Sequence, residues 1–473
     1  GGRFGFIVSD SWLDADYGKG LQELFLRHYR ITAIITSKVE RWFEDADINT
    51  AIIILERCKS QKDREDNLVR FVYLLKPLRH FIPPAHDMWE KQKQRLDAIG
   101  NLIKTILYHN DFYQNDELRI YPKKQSKLWE EGFDSEEGKY AGSKWGKYLR
   151  APEIFFKILE KGKDKLVPLK RIANIRRGFT TGVNEFFYLA EKEIEERKIE
   201  KEFWMHKDEK GNWVPNKVIV SPREAKNVVI KVDSLSKIVL FINKDKEKLK
   251  NKKVLSYIKQ GERRGFHKGG TCSSRYRWYA LEYREPWPIF YPRVHTDRQL
   301  VISNKYMFQA DCSFMEIKPK RKRDVLPLLC FLLSTVSMLF KEFYSRTYGG
   351  GTGPIDIKGT DFEKTPVIKN FSKEGRLKLK KLAIKYPSPE IKSIFEDLNS
   401  YSPDEVSIDK INPARRELDK IIMGEILGLT EDEQLEVYRA VVDLVKSRID
   451  KAKIVDKKGK TTEGVDVELL TKT

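Results

Sequence analysis

The sequence predicts an α/β sheet fragment at its start, an irregular α+β domain in the middle and a helical region at its end. Three observations predict this. Ile-rich, β-branched runs occupy residues 2–10, 31–37 and 48–57, with one helical stripe between the first two. Short apolar runs separated by charge clusters fill the middle of the chain. Helix caps punctuate the closing stretch.

GRFGFIVSD (2–10) alternates and then turns apolar, as a strand buried in a mixed sheet does. LQELFLRHY (21–29) sets Leu21, Leu24, Phe25 and Leu26 on one helical face. ITAIITS (31–37) and INTAIIILER (48–57) are β-branched strands. Residues 1–60 therefore read as the closing part of an α/β sheet. Three strands and one helix cannot cover both faces of such a sheet, so the remainder is expected from a preceding segment or a partner chain. Residues 61–165 read as a charged, helical connecting region, with an amphipathic helix over 89–109 and a loop over 138–146. Residues 166–370 form the α+β domain, with apolar runs VVIKV (228–232) and KIVLFIN (237–243).

Residues 371–473 are helical. Asn412 caps a helix with Pro413 at its first position, and Gly428 stops it. Thr430 to Glu433 form a capping box for a second helix, whose stripe is Leu435, Tyr438, Val442, Val445 and Ile449. The last twenty or so residues are polar and expected to fray.

Ninety Lys and Arg against 70 Asp and Glu leave a formal charge of +20, which favours a polyanionic partner. Hydrophobic residues at 40% and aromatics at 11% exclude a disordered chain. Lys/Glu-rich composition alone fits a thermophilic source, but it does not account for the imbalance. Cys58, Cys272, Cys312 and Cys330 are dispersed, which excludes a zinc-ligand spacing and suits a reducing cytoplasm. The apolar run 325–340 contains Pro327 and is too short for a membrane span, so it reads as a buried helix. No signal peptide is visible.

RRGFTTGVNEFFYL (176–189) places Arg176, Arg177, Thr180, Thr181 and Asn184 around Gly178 and Gly182, ahead of an aromatic strand. Glycine allows close backbone approach, and the arginines and hydroxyls suit phosphates or base edges. An ordinary turn with solvated arginines explains the same residues. Residues 263–298 hold eight basic, three acidic and eight aromatic residues. Such interleaving suits partly opened DNA, with Arg263, Arg264, Lys268, Arg275 and Arg277 as contacts. A basic surface over an aromatic core is the competing explanation, and Trp278 and Trp287 are the rings assigned to that core. YGGGTGPIDIKGTDF (348–362) lacks the Lys-Ser/Thr ending of a phosphate loop. It reads as a flexible loop beside DNA, with Tyr348 and Thr352 as contacts. Asp311 with Glu316 is a weak match to a metal-nuclease carboxylate set, and there is no metal assignment.

VERWFEDADINTAIIILER (39–57) sets Trp42 and Phe43 among Glu40, Glu44, Asp45 and Asp47. Together with GGRFGFIVSDSWLDADYGKGLQELFL, it resembles the late catalytic-domain motifs of gamma-class adenine-N6 DNA methyltransferases of type II restriction-modification systems. RRGFTTGVNEFFYL, YGGGTGPIDIKGTDFEKTPVI and RRELDKIIMGEILGLTEDEQLEVYRAVVDLVKSR resemble that family's target-recognition and C-terminal region. The resemblance implies a class I methyltransferase, Rossmann-like sheet, S-adenosyl-L-methionine as methyl donor, double-stranded DNA as partner and extrusion of an adenine from the duplex. It implies that Phe43 stacks on that adenine while Trp42 packs beside it; a ring closing the sheet edge is the alternative for Phe43. The family's glycine-rich cofactor motif and its Asn-Pro-Pro-Tyr/Phe motif are not in this sequence, and PPAH (83–86) is a poor substitute. The chain is thus expected to bind DNA and to need a further segment or partner for methyl transfer. A non-catalytic DNA-specificity subunit and an RNA-binding or RNA-modifying protein are the alternative functions.

Overall fold

The computed structural model describes residues 2–43, 48–135, 137–208, 210–347 and 353–462. The chain divides into two compact units, residues 1–156 with 346–353, and residues 157–345 with 354–473.

The first unit is built on a six-stranded mixed sheet. Its strands are β1 (Arg3–Ser9), β2 (Tyr29–Ser37), β3 (Thr50–Arg57), β4 (Leu68–Leu74), β5 (Tyr113–Gln114) and β6 (Leu118–Lys124), in the order β1-β3-β2-β4-β6-β5. β3 runs antiparallel to both β1 and β2, and β2 is parallel to β4. The expected strands at 2–10, 31–37 and 48–57 are all present, shifted by one or two residues at their ends. The stretch after residue 60 departs from the expectation of a helical connector. LVRFVYL and LRIYPKK supply β4 and β6, which extend the same sheet, so strands and cover expected from a preceding segment or partner chain come in part from residues 61–149 of this chain. Their arginines hide the strand pattern: Arg119 is 4% exposed, between Leu118 and Ile120 and with Phe112 beneath its guanidinium.

One face of this sheet is covered by α1 (Gly18–His28) and by residues 125–149, around Trp12, Phe25, Phe71, Trp145 and Tyr148. Two buried amides hold that cover in place. Gln22 donates to the Ser143 carbonyl at 2.9 Å and accepts from the Ser143 N–H and the Tyr140 hydroxyl, both at 3.1 Å. Gln125 donates to the Tyr29 carbonyl at 2.8 Å and accepts from the Ile31 N–H at 3.2 Å, where the β2–β3 pairing shifts register. Buried polar groups that are satisfied in this way fix one arrangement. The other face packs Ala33, Ile35, Val72 and Leu74 against Ile106 of the expected amphipathic helix (Trp89–Tyr108) and against Trp42. The stretch 2–10, expected to be a buried strand, is instead an end strand: β1 pairs along one edge with β3 and ends the sheet, so Phe4, Phe6 and Ile7 are exposed.

The second unit contains two four-stranded sheets. One orders Ala173–Arg177, Phe314–Pro319, Ile289–Pro292 and Ile302–Ser303. The other orders Tyr188–Leu189, Lys237–Val239, Lys217–Ile219 and Gln309–Ala310. Leu166 pairs with Ile368, so the ends of the expected 166–370 domain lie together. The helical region beyond 370 belongs to this same compact unit. Asp419 accepts from the Thr335 N–H and hydroxyl at 2.9 and 2.6 Å, and Arg448 meets Glu342 at 3.0 Å.

Three local expectations change. Asn184–Phe187 is a helical turn rather than part of a strand, which lets both Phe186 and Phe187 enter the core. The run 325–340 is two helices, Val325–Leu333 and Thr335–Tyr344, bent by 74° at Ser334. Of the two apolar runs, 237–239 is a strand, whereas Val229 forms only an isolated bridge to Ser303. Among the described residues no single helix is long and apolar enough to cross a membrane. The predicted caps are present: Asn412 accepts from the Ala414 N–H at 3.0 Å, and Thr430 and Glu433 cap each other reciprocally. Tyr438, Val442 and Val445 of the predicted stripe are buried. Most of the tail expected to fray, residues 463–473, lies outside the described residues.

Candidate nucleic-acid interface

In the first unit the loop after β2 carries the Trp42-Phe43 pair. Trp42 turns inward onto the sheet, and its indole N–H donates to Glu40 at 3.2 Å. The same Glu40 oxygen accepts from the Leu78 N–H at 2.5 Å, tying the loop after β2 to the loop after β4. Phe43 is left 47% exposed. One acidic neighbour thus has a structural task, while Glu44, Asp45 and Asp47 lie outside the described residues.

The second unit brings the two arginine-rich stretches together. Gly178 is forced by close approach, since a Cβ there would sit 2.1 Å from the Asp311 carbonyl oxygen. Gly182 has φ +81°, and a Cβ on it would sit 2.8 Å from Thr271. Across this contact Arg275 donates to the carbonyls of Thr180 and Thr181, the latter at 2.9 Å. Residues 178–184 and 269–277 are therefore one clasped surface.

Beneath it lies Glu316, fully buried, which accepts from Arg176 at 2.7 Å and from Arg284 at 2.8 Å. The Arg176 guanidinium lies 4.2 Å over the Trp287 ring, and that of Arg284 lies 4.1 Å over Phe179. Burial pulls the Arg284 guanidinium below its ordinary value, and Glu316 opposes that shift. Asp311 accepts from the Tyr188 hydroxyl at 2.9 Å and from the Ser313 N–H at 2.9 Å. Both carboxylates of the supposed metal set are thus occupied by protein donors, and no metal-ligand cluster occurs among the described residues.

The candidate contact residues divide by how they are held. Arg176, Arg275 and Arg277 are tied to protein acceptors, Arg277 to Asp245 at 2.8 Å. Arg177 is exposed, with its Nε donating to the Cys312 carbonyl at 3.1 Å. Arg264 pairs with Glu185 at 2.8 Å, but both side chains are 55% exposed, so solvent screens the pair. Arg263 and Lys268 are exposed and make no ion pair among the described residues. Thr180 and Asn184 are exposed, whereas Thr181 is buried with its hydroxyl donating to Asn184. Tyr348 and Thr352 lie outside the described residues. Trp278 is in the core as expected; Trp287 instead lies half-buried under Arg176. Arg284 is a residue that sequence reasoning did not single out. Nothing in EYREPW marks it, because its role depends on Glu316, 32 residues away.

Residues 142–400, more than half of the chain, match the family model described as Type II methyltransferase M.Eco57I, C-terminal domain. The chain belongs to that family. The match covers the arginine clasp and the Glu316 site, and it bears out the resemblance to the C-terminal portion of a type II restriction-modification methyltransferase. The Type II methyltransferase M.AccI of Acinetobacter calcoaceticus is 24% identical over 360 residues, 74% of this chain and 56% of that protein. Among solved structures, the type IIG restriction endonuclease BpuSI aligns with a TM-score of 0.40 at 11% identity, over 95% of this chain and 48% of its own. The type IIL restriction-modification enzyme MmeI, solved in complex with DNA, aligns with a TM-score of 0.44 at 11% identity, over 94% and 50%. The chain spans about half the length of these relatives.

Proposed function

We propose that this chain is the DNA-recognition and base-stacking part of a site-specific adenine-N6 DNA methyltransferase of a restriction-modification system. The observation that carries the reading is the division of labour between Trp42 and Phe43. One ring packs, half-buried, against the core and the other is offered to solvent at the end of two parallel strands, where ligands of α/β sheets gather. Phe43 stacks on an adenine extruded from the duplex, and this stacking offsets part of the few kcal/mol that extrusion costs. Arg263 and Lys268 meet phosphates, as does Arg177 through its remaining donors. Arg264 exchanges Glu185 for the backbone of DNA. Thr180 and Asn184 reach base edges from the clasp, and Arg176, Thr181, Arg275 and Arg277 hold its shape. Tyr348 and Thr352 are further contacts.

S-adenosyl-L-methionine is the proposed methyl donor, held mainly by residues other than those of this chain. Gly18, which opens α1, is there for packing, since a Cβ on it would sit 1.8 Å from the Trp12 carbonyl oxygen. The cofactor and the second wall of the adenine pocket are assigned to an additional methyltransferase segment or partner chain. The end strand β1 supports this, because among the described residues no strand pairs along its outer edge, and Phe4, Phe6 and Ile7 flank it exposed.

The test supplies labelled S-adenosyl-L-methionine and duplex DNA to the chain alone, and then together with a polypeptide carrying the cofactor and Asn-Pro-Pro-Tyr motifs. N6-methyladenine is expected only from the mixture. Methylated cytosine as the product, or vigorous methylation by the chain alone, overturns the reading.

A further inference from the structure

Tyr276 is 95% exposed, more than any other large hydrophobic side chain among the described residues. Its hydroxyl makes no hydrogen bond among them. The backbone that carries it is nevertheless firmly held. Arg275 on one side donates to the Thr180 and Thr181 carbonyls and to that of Trp278 at 3.4 Å. On the other side Arg277 meets Asp245 at 2.8 Å and Asn243 at 2.5 Å, and its guanidinium lies 5.8 Å from the Tyr276 ring centre. Cys272, Trp278 and Tyr279 anchor the same turn in the core. A bulky ring thus projects from a fixed base.

Both flanking arginines are occupied by protein acceptors, so direct contact at this tip falls to the ring between them. A tyrosine face suits any base, because every base presents a π-face. Apolar and aromatic side chains inserted between base steps also hold a bent or opened duplex. Exposed Arg263 and Lys268, on the segment leading into the tip, supply cations for the adjoining phosphates. We propose that Tyr276 is a DNA-inserting ring, stacking on a base of the bound duplex and forming a contact distinct in role from Phe43. This inference rests on the DNA-binding reading above.

The test uses the full chain and duplexes with 5-iododeoxyuridine in place of thymidine, irradiated and digested, with the cross-linked peptide located by mass spectrometry. Cross-linking at Tyr276 is expected. Binding followed by fluorescence anisotropy should weaken about 5- to 150-fold in Tyr276→Ala, the range that loss of one stacked base gives. Tyr276→Phe should bind as the wild type does, and all three proteins should melt alike because the ring is unburied. If the wild type binds duplex DNA while Tyr276→Ala binds equally well and no cross-link forms at 276, the inserted ring is overturned and DNA binding stands. Equal loss in the Phe and Ala variants would assign the effect to the hydroxyl and also overturn stacking. A wild type that binds no duplex at low salt overturns both readings.

Discussion

Arg275 donates to the Thr181 carbonyl at 2.9 Å, joining two segments that lie 94 residues apart in the chain. A charged donor on a carbonyl contributes about 1.5–3 kcal/mol when shielded from water, and less where water competes. Arg275 is half-buried, so Arg275→Ala should cost about 1–2 kcal/mol of local stability. Amide hydrogen exchange should quicken across 178–184 and leave the first unit unchanged. Arg275→Lys should not rescue it, since a single ammonium cannot reproduce the forked geometry.

Glu316 offers a sharper test. It is fully buried and is the shared acceptor for Arg176 and Arg284, whose side chains are 22% and 31% exposed. Glu316→Gln leaves two cations facing a neutral amide. Removing one partner of a fully buried pair costs about 3–5 kcal/mol; partial solvation of the arginines lowers the expectation to about 2–4 kcal/mol. A fall in the denaturant midpoint of the second unit measures it. DNA affinity should fall as well, because the strand bearing Arg177 would lose its support.

The two rings of the β2 loop should separate stability from function. Trp42→Ala removes a packed ring that is only partly buried, so the loss should be about 1–3 kcal/mol, below the range for fully buried tryptophan. Phe43→Ala should leave the melting temperature within error. It should instead reduce the 2-aminopurine fluorescence change at the target base, and methyl transfer, in the reconstituted enzyme. The reverse pattern, with Phe43 stabilising and Trp42 silent, would contradict the assignment.

Legibility in the sequence followed the range of the interactions. Strands β1 to β3 and the Thr430–Glu433 capping box rest on local pattern and were readable to within a few residues. β4 and β6 were hidden because Arg70 and Arg119 break their apolar runs, and burial of Arg119 depends on its neighbours in space. Both arginine-rich stretches were visible as candidates. Their junction was not, because it depends on the close approach of Gly182 to Thr271 and on Arg275 reaching the Thr180 and Thr181 carbonyls. Nor could composition tell which arginines were already occupied. Arg176 and Arg277 looked as free as Arg263, and only the positions of Glu316 and Asp245 distinguish them.

A final prediction concerns pH. Lys341 is 1% exposed and donates to Gln299 at 2.6 Å, near the buried Arg448–Glu342 pair and His295. Burial lowers its ammonium to about 7, an effect that Glu342 opposes and Arg448 reinforces. The unfolded chain keeps this proton up to the ordinary lysine range, so between pH 7 and about 10 it binds more protons than the folded one. Stability therefore rises with pH in that window through this group, by at most about 1.4 kcal/mol per pH unit. Lys341→Met carries no titrating group at this position. The stability of the wild type relative to Lys341→Met, followed by urea unfolding, should accordingly increase from pH 7 to 10 and level off above that. His295 acts on the acid side, since burial and then Lys341 hold it well below its ordinary value. As pH falls through about 6.5 the unfolded state takes up a proton that the folded state refuses, and stability is lost. A wild-type minus Lys341→Met difference that stays flat between pH 7 and 10 would show that Lys341 keeps an ordinary ammonium within the core.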